Sequence, residues 1–282
     1  MEYKNKQPIA ILLSTFNGER YIEELLQSII EQVFQSFTLY VRDDGSTDST
    51  ISIIKEFASA DDRIVYIDDN LHLGPSQTFL YLLNSVDSSY YMFCDQDDVW
   101  LPEKIGISYD YIKETERQRG ENIPIIAYTD LVVTDQNLNV IAPSLWEYSH
   151  MKVDAPTTFN YICVYNNIAG CASIFNKPAK NTLNTGITTL PKNIYHDWWL
   201  AICVSRSGGI IEPIRKATIL FRRHGGNETV VSSSNKSLSS KIGRLKDSYL
   251  VIRKRYGFFK SIGYGPFIKY LFFKLIVSLR YN

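Results

Sequence analysis

Ile9-Ala10-Ile11-Leu12-Leu13-Ser14-Thr15-Phe16-Asn17-Gly18 runs five apolar residues without a break into a polar turn. An apolar run with no alternation is the pattern of a strand buried on both faces, and such strands belong to parallel sheets covered by helices. The pattern recurs twice. Phe37–Val41 breaks at Arg42-Asp43-Asp44-Gly45-Ser46-Thr47-Asp48, and Tyr90–Cys94 breaks at Asp95-Gln96-Asp97-Asp98 before the apolar stop Val99-Trp100.

The intervening segments have helical periodicity. Ile22, Leu25, Leu26, Ile29 and Ile30 fall on one face, a second helix is expected over about 49–58 with Ile51, Ile54, Phe57 and Ala58 inward, and a third over Thr78–Ser85. Ile64–Ile67 supplies another strand. This alternation predicts a doubly wound nucleotide-binding half in the first hundred residues, with function at the carboxyl ends of its strands. The chain has neither G-x-G-x-x-G nor a Walker A motif, so phosphate must be held in some other way. The three polar clusters would converge on one edge of the sheet. Asp95, Asp97 and Asp98 read either as a solvated acidic turn capping a helix that begins near Pro102, or as a site for a hard divalent cation bound to phosphate oxygens. Asp44 is either a turn residue before Gly45 or an acceptor for a pyrimidine imide N–H, with Thr15 and Asn17 within reach of ribose or base.

The second half is less regular. A helix to about Gln118 precedes a strand at Ile125–Tyr128 that ends in Thr129-Asp130, then Leu131-Val132-Val133 and a turn at 135–137. Residues 140–165 are aromatic and loop-like, a sugar-facing surface or an irregular lid. Asn166–Asn176 looks like a loop entering a strand, and His196-Asp197-Trp198 opens an apolar helix, where capping alone would explain a carboxylate. The strand Ile219–Phe221 ends in Arg222-Arg223-His224-Gly225-Gly226-Asn227, where His224 is a surface residue or a ligand.

The chain has 282 residues, 45% apolar and 21% charged, enough for one large α/β domain or two intimate subdomains. Its formal net charge of zero conceals an asymmetry: residues 236–282 contain eleven Lys or Arg and one acid, leaving 19 basic and 29 acidic residues in positions 1–235. An acidic body with a basic, aromatic tail points to an anionic surface and not to nucleic acid. Four scattered cysteines without C-x-x-C are expected to be buried thiols in a reducing compartment. No signal peptide is expected before the first strand, so the reading is cytoplasmic. In the tail, Leu238, Ile242, Leu245, Tyr249, Ile252 and Tyr256 step by fours and threes, an amphipathic helix; the apolar run Phe267–Leu279 is too short to span a bilayer. An interfacial anchor on an anionic inner leaflet fits. A homo-oligomer interface or a cover for the catalytic body are the alternatives.

Together, Leu12–Gly18, Arg42–Asp48, Asp95–Trp100, His196-Asp197-Trp198 and Arg223–Asn227 resemble family 2 glycosyltransferases of the GT-A fold, over about residues 7–235. More narrowly they are similar to bacterial rhamnosyltransferases that build cell-wall and capsular polysaccharides. The resemblance implies an α/β fold with a Rossmann-like, mostly parallel central sheet flanked by helices: a catalytic domain over 1–235, in nucleotide-sugar-binding (about 1–100) and acceptor-binding (101–235) halves, and a helical amphipathic tail over 236–282. It assigns Asp44, Thr15 and Asn17 to the uracil or thymine nucleotide, with Glu19, Asp95 and Gln96 grouped beside them. Asp95 and Asp97 match the family's D-x-D, with Asp97 the direct ligand of Mn²⁺ or Mg²⁺ and His224 a further ligand. Asp197 falls where inverting members keep their general base, and Gly170, Cys171 and Trp198 are grouped with the acceptor.

The chemistry agrees with those residue types. A cation neutralises the departing diphosphate, an imidazole ligand tilts the choice toward Mn²⁺, and one carboxylate base without an enzyme nucleophile implies inversion. The narrower resemblance implies dTDP-rhamnose as donor; the residues themselves do not separate it from UDP-glucose, UDP-galactose or UDP-N-acetylglucosamine. A nucleotidyltransferase would show a Gly-rich, Arg-containing loop after its first strand, which Ser14–Gly18 is not. A non-catalytic nucleotide-sugar-binding protein is the other alternative.

Overall fold

The computed structural model describes residues 3–4, 7–69, 71–183, 190–191, 194–225 and 241–281, with the side chains of 251–279 in the last segment. In chain order, strands β1 (Tyr3–Lys4) and β2 (Ile9–Thr15) lead to helix α1 (Ile22–Ile30), β3 (Phe37–Asp43), α2 (Thr50–Ala60), β4 (Ile64–Ile67), α3 (Pro75–Ser85), β5 (Val86–Asp87) and β6 (Tyr90–Cys94). Then come β7 (Val99–Trp100), α4 (Lys104–Arg119), β8 (Ile125–Thr134), β9 (Val140–Ala142), α5 (Leu145–Tyr148) and α6 (Phe159–Ile162). A 3₁₀ turn at Gly170–Ala172 precedes β10 (Ser173–Asn176), α7 (Lys177–Asn181), α8 (His196–Arg206), β11 (Ile210–Arg222), α9 (Lys241–Ser261) and α10 (Phe267–Tyr281).

Among the described residues, nine strands form one sheet in the order β4-β3-β2-β6-β10-β8-β11-β7, with β9 against β8. The first four are parallel, as their unbroken apolar runs require. Beyond β6 the sheet is mixed. The connection through α4 skips a position before β8, and β10 fills it running antiparallel to both neighbours. Because the chain leaves β2 toward β3 on one side while β6 lies on the other, the topological switch falls at the carboxyl ends of β2 and β6.

Side chains alternate between two cores. Ile9, Ile11 and Leu13 join Met92 and Ile174 beneath α1 and α4, while Ala10 and Leu12 join Tyr91, Phe93 and Phe175 beneath α3 and α8. Helix α3 starts three residues before the expected Thr78, because Pro75 occupies its first turn after Gly74 at φ +76°. The second core continues into the tail, where Tyr256, Phe259, Ile262, Tyr264 and Tyr270 are buried. Of the expected amphipathic positions, Tyr256 is buried and Ile252 packs on the same core, so this face of α9 meets the catalytic body. Leu238 and the side chains of 242, 245 and 249 lie outside the described residues, as do Gly226 and Asn227. All four cysteines are buried thiols.

Candidate active site

The loops that leave β2, β3 and β6 are tied to one another at the switch point. Phe16 N–H donates to Gln96 Oε1 at 2.8 Å and Gln96 Nε2 returns a bond to Phe16 O at 3.0 Å. A Cβ on Gly18 would lie 2.5 Å from that Oε1, so the clamp requires glycine there. Asn17, at φ +46°, donates its N–H to Ser46 Oγ and accepts from Thr47 N–H at Oδ1. Glu19 receives Ser49 N–H and gives its own N–H to Asp48. Asn17, Glu19 and Gln96 therefore shape the crevice floor by joining loops. Thr15 is buried, with its hydroxyl given to Asp43 at 2.7 Å.

Asp44 sits deeper than a turn residue. Its carboxylate accepts Leu73 N–H at 2.7 Å, Gly74 N–H at 2.8 Å and Arg42 Nη1 at 2.9 Å, and Arg42 is gripped from its other edge by Asp69. Burial pushes the Asp44 carboxyl up, but the Leu73 amide, Arg42 and the Gly74 amide more than offset it, and the net shift is downward. Asp44 is thus a fixed anion under the 71–74 loop, and Gly45, at φ +94°, leaves room for His72 to close over it.

After β6 the three acids separate by environment. Asp98 is buried, accepts Arg222 N–H at 3.2 Å and is pushed well above the usual carboxylate range by burial and then by Asp97 and Asp95. Asp97 is part-exposed, and its Oδ2 lies 2.8 Å from His224 Nε2. The end of β11 makes this arrangement: Arg222, fully enclosed, donates Nε to Asp97 O at 2.9 Å, Nη1 to Gln136 O at 2.8 Å, and pairs with Glu24 through Nη2. Two residues later His224 packs beside Tyr21, whose ring Arg222 also faces.

The donors fit a divalent cation. Asp97 and His224 offer an oxygen and an imidazole nitrogen side by side at the solvent edge, a pairing suited to Mn²⁺. Asp95, expected to join them, has its ligand atom grouped instead with those of Asp98 and Cys171, all within 4.8 Å of one another. That second group is a poorer cation site, because burial holds the Cys171 thiol well above its ordinary pKa and a protonated thiol is no ligand for Mg²⁺ or Mn²⁺. Behind it Lys104 is enclosed, its Nζ 4.6 Å from the Trp100 ring and its pKa lowered by burial to about 8.

Asp197 lies in the first turn of α8. Its Oδ2 accepts Gly170 N–H at 3.0 Å and its Oδ1 accepts Trp198 N–H at 2.6 Å. Burial raises its pKa to about 6 despite these bonds. Gly170 also precedes Cys171, so one 3₁₀ turn joins the Asp197 carboxylate to the acid cluster after β6. His196, beside it, is a neutral imidazole enclosed by Phe79 and Phe93, with burial lowering its pKa to about 3.

The residues grouped with the acceptor occupy other places. Cys171 is buried under the acids, Gly170 supports Asp197, and Trp198 is buried with its indole N–H on Ile162 O and its ring against Phe259. The second half of the chain carries a cavity of about 660 Å³ between the 143–155 segment and the β11 bulge, lined by Asp130, Trp146, Lys152, Asp154 and Arg215 among others. Arg222, Lys104 and His196 were not singled out by sequence reasoning; charged residues at strand and helix ends look solvated until the packing is known.

Residues 10–121 match the family model described as Glycosyl transferase family 2. Over 246 residues the chain is 26% identical to the dTDP-rhamnosyl transferase RfbG of Shigella flexneri, covering 84% of this chain and 80% of that one. Among solved structures it resembles S. aureus TarS 1-349 in complex with UDP-GlcNAc, at 18% identity and TM-score 0.58 over 88% of this chain and 65% of that one. It also resembles the mannosyltransferase PcManGT of Pyrobaculum calidifontis in complex with GDP-Man and Mn²⁺, at 14% identity and TM-score 0.57 over 76% of this chain and 56% of that one. The chain thus spans less than two thirds of either solved protein. Its strand order, its loops tied together at the switch point and these likenesses agree: residues 10–121 form a glycosyl transferase family 2 domain, and the chain is a glycosyltransferase of the GT-A fold.

Proposed function

We propose that this glycosyltransferase is inverting and metal-dependent, and moves L-rhamnose from dTDP-rhamnose to a lipid-linked precursor of a bacterial cell-wall or capsular polysaccharide. The observation that carries the reading is the Asp197 carboxylate, raised to about 6 and joined through Gly170 and Cys171 to the acids after β6. A carboxylate with that pKa is ionised at neutral pH and is a stronger base than a solvated aspartate, as removal of the acceptor hydroxyl proton requires. Backbone N–H groups from Gly170 and Trp198 fix its orientation. With one base and no enzyme nucleophile, attack comes from the face opposite the leaving group and the anomeric centre inverts.

Asp97 and His224 would hold Mn²⁺ or Mg²⁺, with Asp95 in the adjoining group around Asp98, and the cation when bound would supply Lewis-acid stabilisation of the departing diphosphate. The Thr15–Glu19, Asp43–Asp48 and Asp95–Asp98 loops shape the nucleotide crevice, with Asp44 beneath the base. Rhamnose is favoured by the relative named as a dTDP-rhamnosyl transferase. A UDP-hexose donor is the second reading, supported by the solved neighbour bound to UDP-GlcNAc. The basic tail accounts for an acceptor carried by a lipid at the inner leaflet of the cytoplasmic membrane.

The test is a screen of dTDP-rhamnose, UDP-glucose, UDP-galactose and UDP-N-acetylglucosamine for Mn²⁺-dependent release of nucleoside diphosphate, followed by transfer to a synthetic polyprenyl-linked acceptor. Fastest turnover of dTDP-rhamnose supports the proposal; failure to release diphosphate from any sugar would remove it.

A further inference from the structure

Helix α10 is apolar on two faces. Tyr270 and Val277 are buried, and Phe273 packs inward with its ring 5.1 Å from Tyr161 of α6. On the other side Ile268, Leu271, Phe272, Leu275 and Leu279 are exposed, Ile268 at 73% and Leu279 at 75%. At helical spacing these five side chains fall within an arc of about 100°. A globular surface rarely leaves so continuous an apolar stripe uncovered, and a second apolar face opposite the buried one calls for a second apolar environment.

We propose that α10 docks the enzyme flat on an anionic lipid surface through Ile268, Leu271, Phe272, Leu275 and Leu279. Charge identifies the occupant. Residues 241–281 hold ten Lys or Arg and one acid, and at helical spacing the part-buried Lys269 and Lys274 flank the stripe on its two sides, Lys269 with its Nζ 5.7 Å from the Tyr264 ring centroid. A second copy of the chain on this face would bring two such cationic segments together, which opposes self-association, whereas an anionic leaflet satisfies both the apolar stripe and its rim. No helix among the described residues is long and apolar enough to cross a membrane, so α10 lies along the surface. The inner face of α10 is held rigidly: Tyr270 packs on Phe259 at 5.9 Å between ring centroids, and Phe259 packs on Trp198 at 5.9 Å, the residue after Asp197. The docked face therefore stands behind the helix that carries the general base. This deepens the reading of a lipid-carried acceptor and rests on it.

The experiment is co-sedimentation of the full chain with phosphatidylcholine vesicles, with and without phosphatidylglycerol, set beside Ile268→Ser/Phe272→Ser/Leu275→Ser and Lys269→Gln/Lys274→Gln. Binding to the anionic vesicles that falls at least about tenfold in the triple variant, and falls also in the lysine variant, supports the proposal. Because the substituted positions face outward, Mn²⁺-dependent release of nucleoside diphosphate by the triple variant should match the parent, which separates lost docking from lost folding. Equal vesicle binding by parent and triple variant overturns the proposal. So does a parent that ignores vesicles but self-associates through this face, with the triple variant monomeric. A parent that binds vesicles through the stripe yet releases diphosphate from no sugar supports docking and removes the donor reading alone.

Discussion

Asp197 Oδ2 accepts the Gly170 backbone N–H at 3.0 Å, and a Cβ on Gly170 would lie 3.1 Å from Asp197 Cβ and 3.3 Å from both Asp197 Oδ2 and His196 Nε2. The absence of a side chain at 170 lets the carboxylate approach the turn. Gly170→Ala should therefore displace the proposed base without touching the proposed nucleotide site. The expected result is a fall in kcat of about ten- to a hundredfold with little change in nucleotide affinity, measured by initial rates and calorimetry. A parallel loss of affinity would mean that the turn organises the donor site instead.

The pH profile follows from the same carboxylate. In the proposed mechanism, Asp197, whose pKa is raised from 3.8 to about 6, acts as base above that value and not below it. Activity under subsaturating substrate should fall about tenfold per pH unit on the acid side of about 6. A limb that stays near 4 would show that the titrating base is a solvated group elsewhere.

The Asp97–His224 pair at 2.8 Å predicts how metal dependence will respond to substitution. Asp97→Ala should weaken Mn²⁺-dependent nucleotide binding by at least about tenfold, and His224→Ala should narrow the preference for Mn²⁺ over Mg²⁺. Nucleotide titrations in each cation and in chelator read both effects. Unchanged binding in Asp97→Ala would transfer the cation to the buried group around Asp98.

Arg222 is enclosed and spends its guanidinium on Asp97 O, Gln136 O and Glu24. Removing it strands those acceptors, although Glu24 is half-exposed and can be hydrated. Arg222→Met should cost about 2–4 kcal/mol by denaturant unfolding and should weaken the metal response by loosening Asp97. Stability within about 0.5 kcal/mol of the parent would show that the strap is dispensable.

His196 carries its imidazole neutral among Phe79 and Phe93, with its pKa lowered from 6.5 to about 3. A lowered histidine contributes stability that is present above the unfolded value and is lost as pH falls from about 6.5 toward 3. His196→Phe removes that loss, so its stability advantage over the parent should grow by about 2–3 kcal/mol between pH 7.5 and pH 4.5. A difference independent of pH would mean the imidazole is solvated or paired.

What could be read from the chain was set by how local its signals are. Ile9–Leu13, Phe37–Val41 and Tyr90–Cys94 declared themselves as buried parallel strands because their apolar runs are continuous, and the loops after them follow directly. The antiparallel entry of β10 between β6 and β8 left no such trace, since pairing partners distant in sequence impose no period. The first half of β11 was also hidden: the expected strand began at Ile219, because Pro213, Arg215 and Lys216 interrupt the apolar pattern, and the strand tolerates them through register shifts between Ile214 and Leu220. Trp198 and Cys171 were grouped with the acceptor by their place beside motifs, and the packing of Trp198 against Phe259 of α9 and the burial of Cys171 in the 3₁₀ turn needed the fold. The exposed stripe of α10 needed the fold as well, because a helix apolar on both faces does not say which face is covered.

The most direct measurement compares Asp197→Asn with the parent in two assays: transfer from dTDP-rhamnose to a synthetic lipid-linked acceptor, and calorimetric affinity for the nucleotide with Mn²⁺. An inverting mechanism with Asp197 as base predicts that transfer falls by about 10²–10⁴ while affinity stays within about twofold. Near-parental transfer by Asp197→Asn would contradict it.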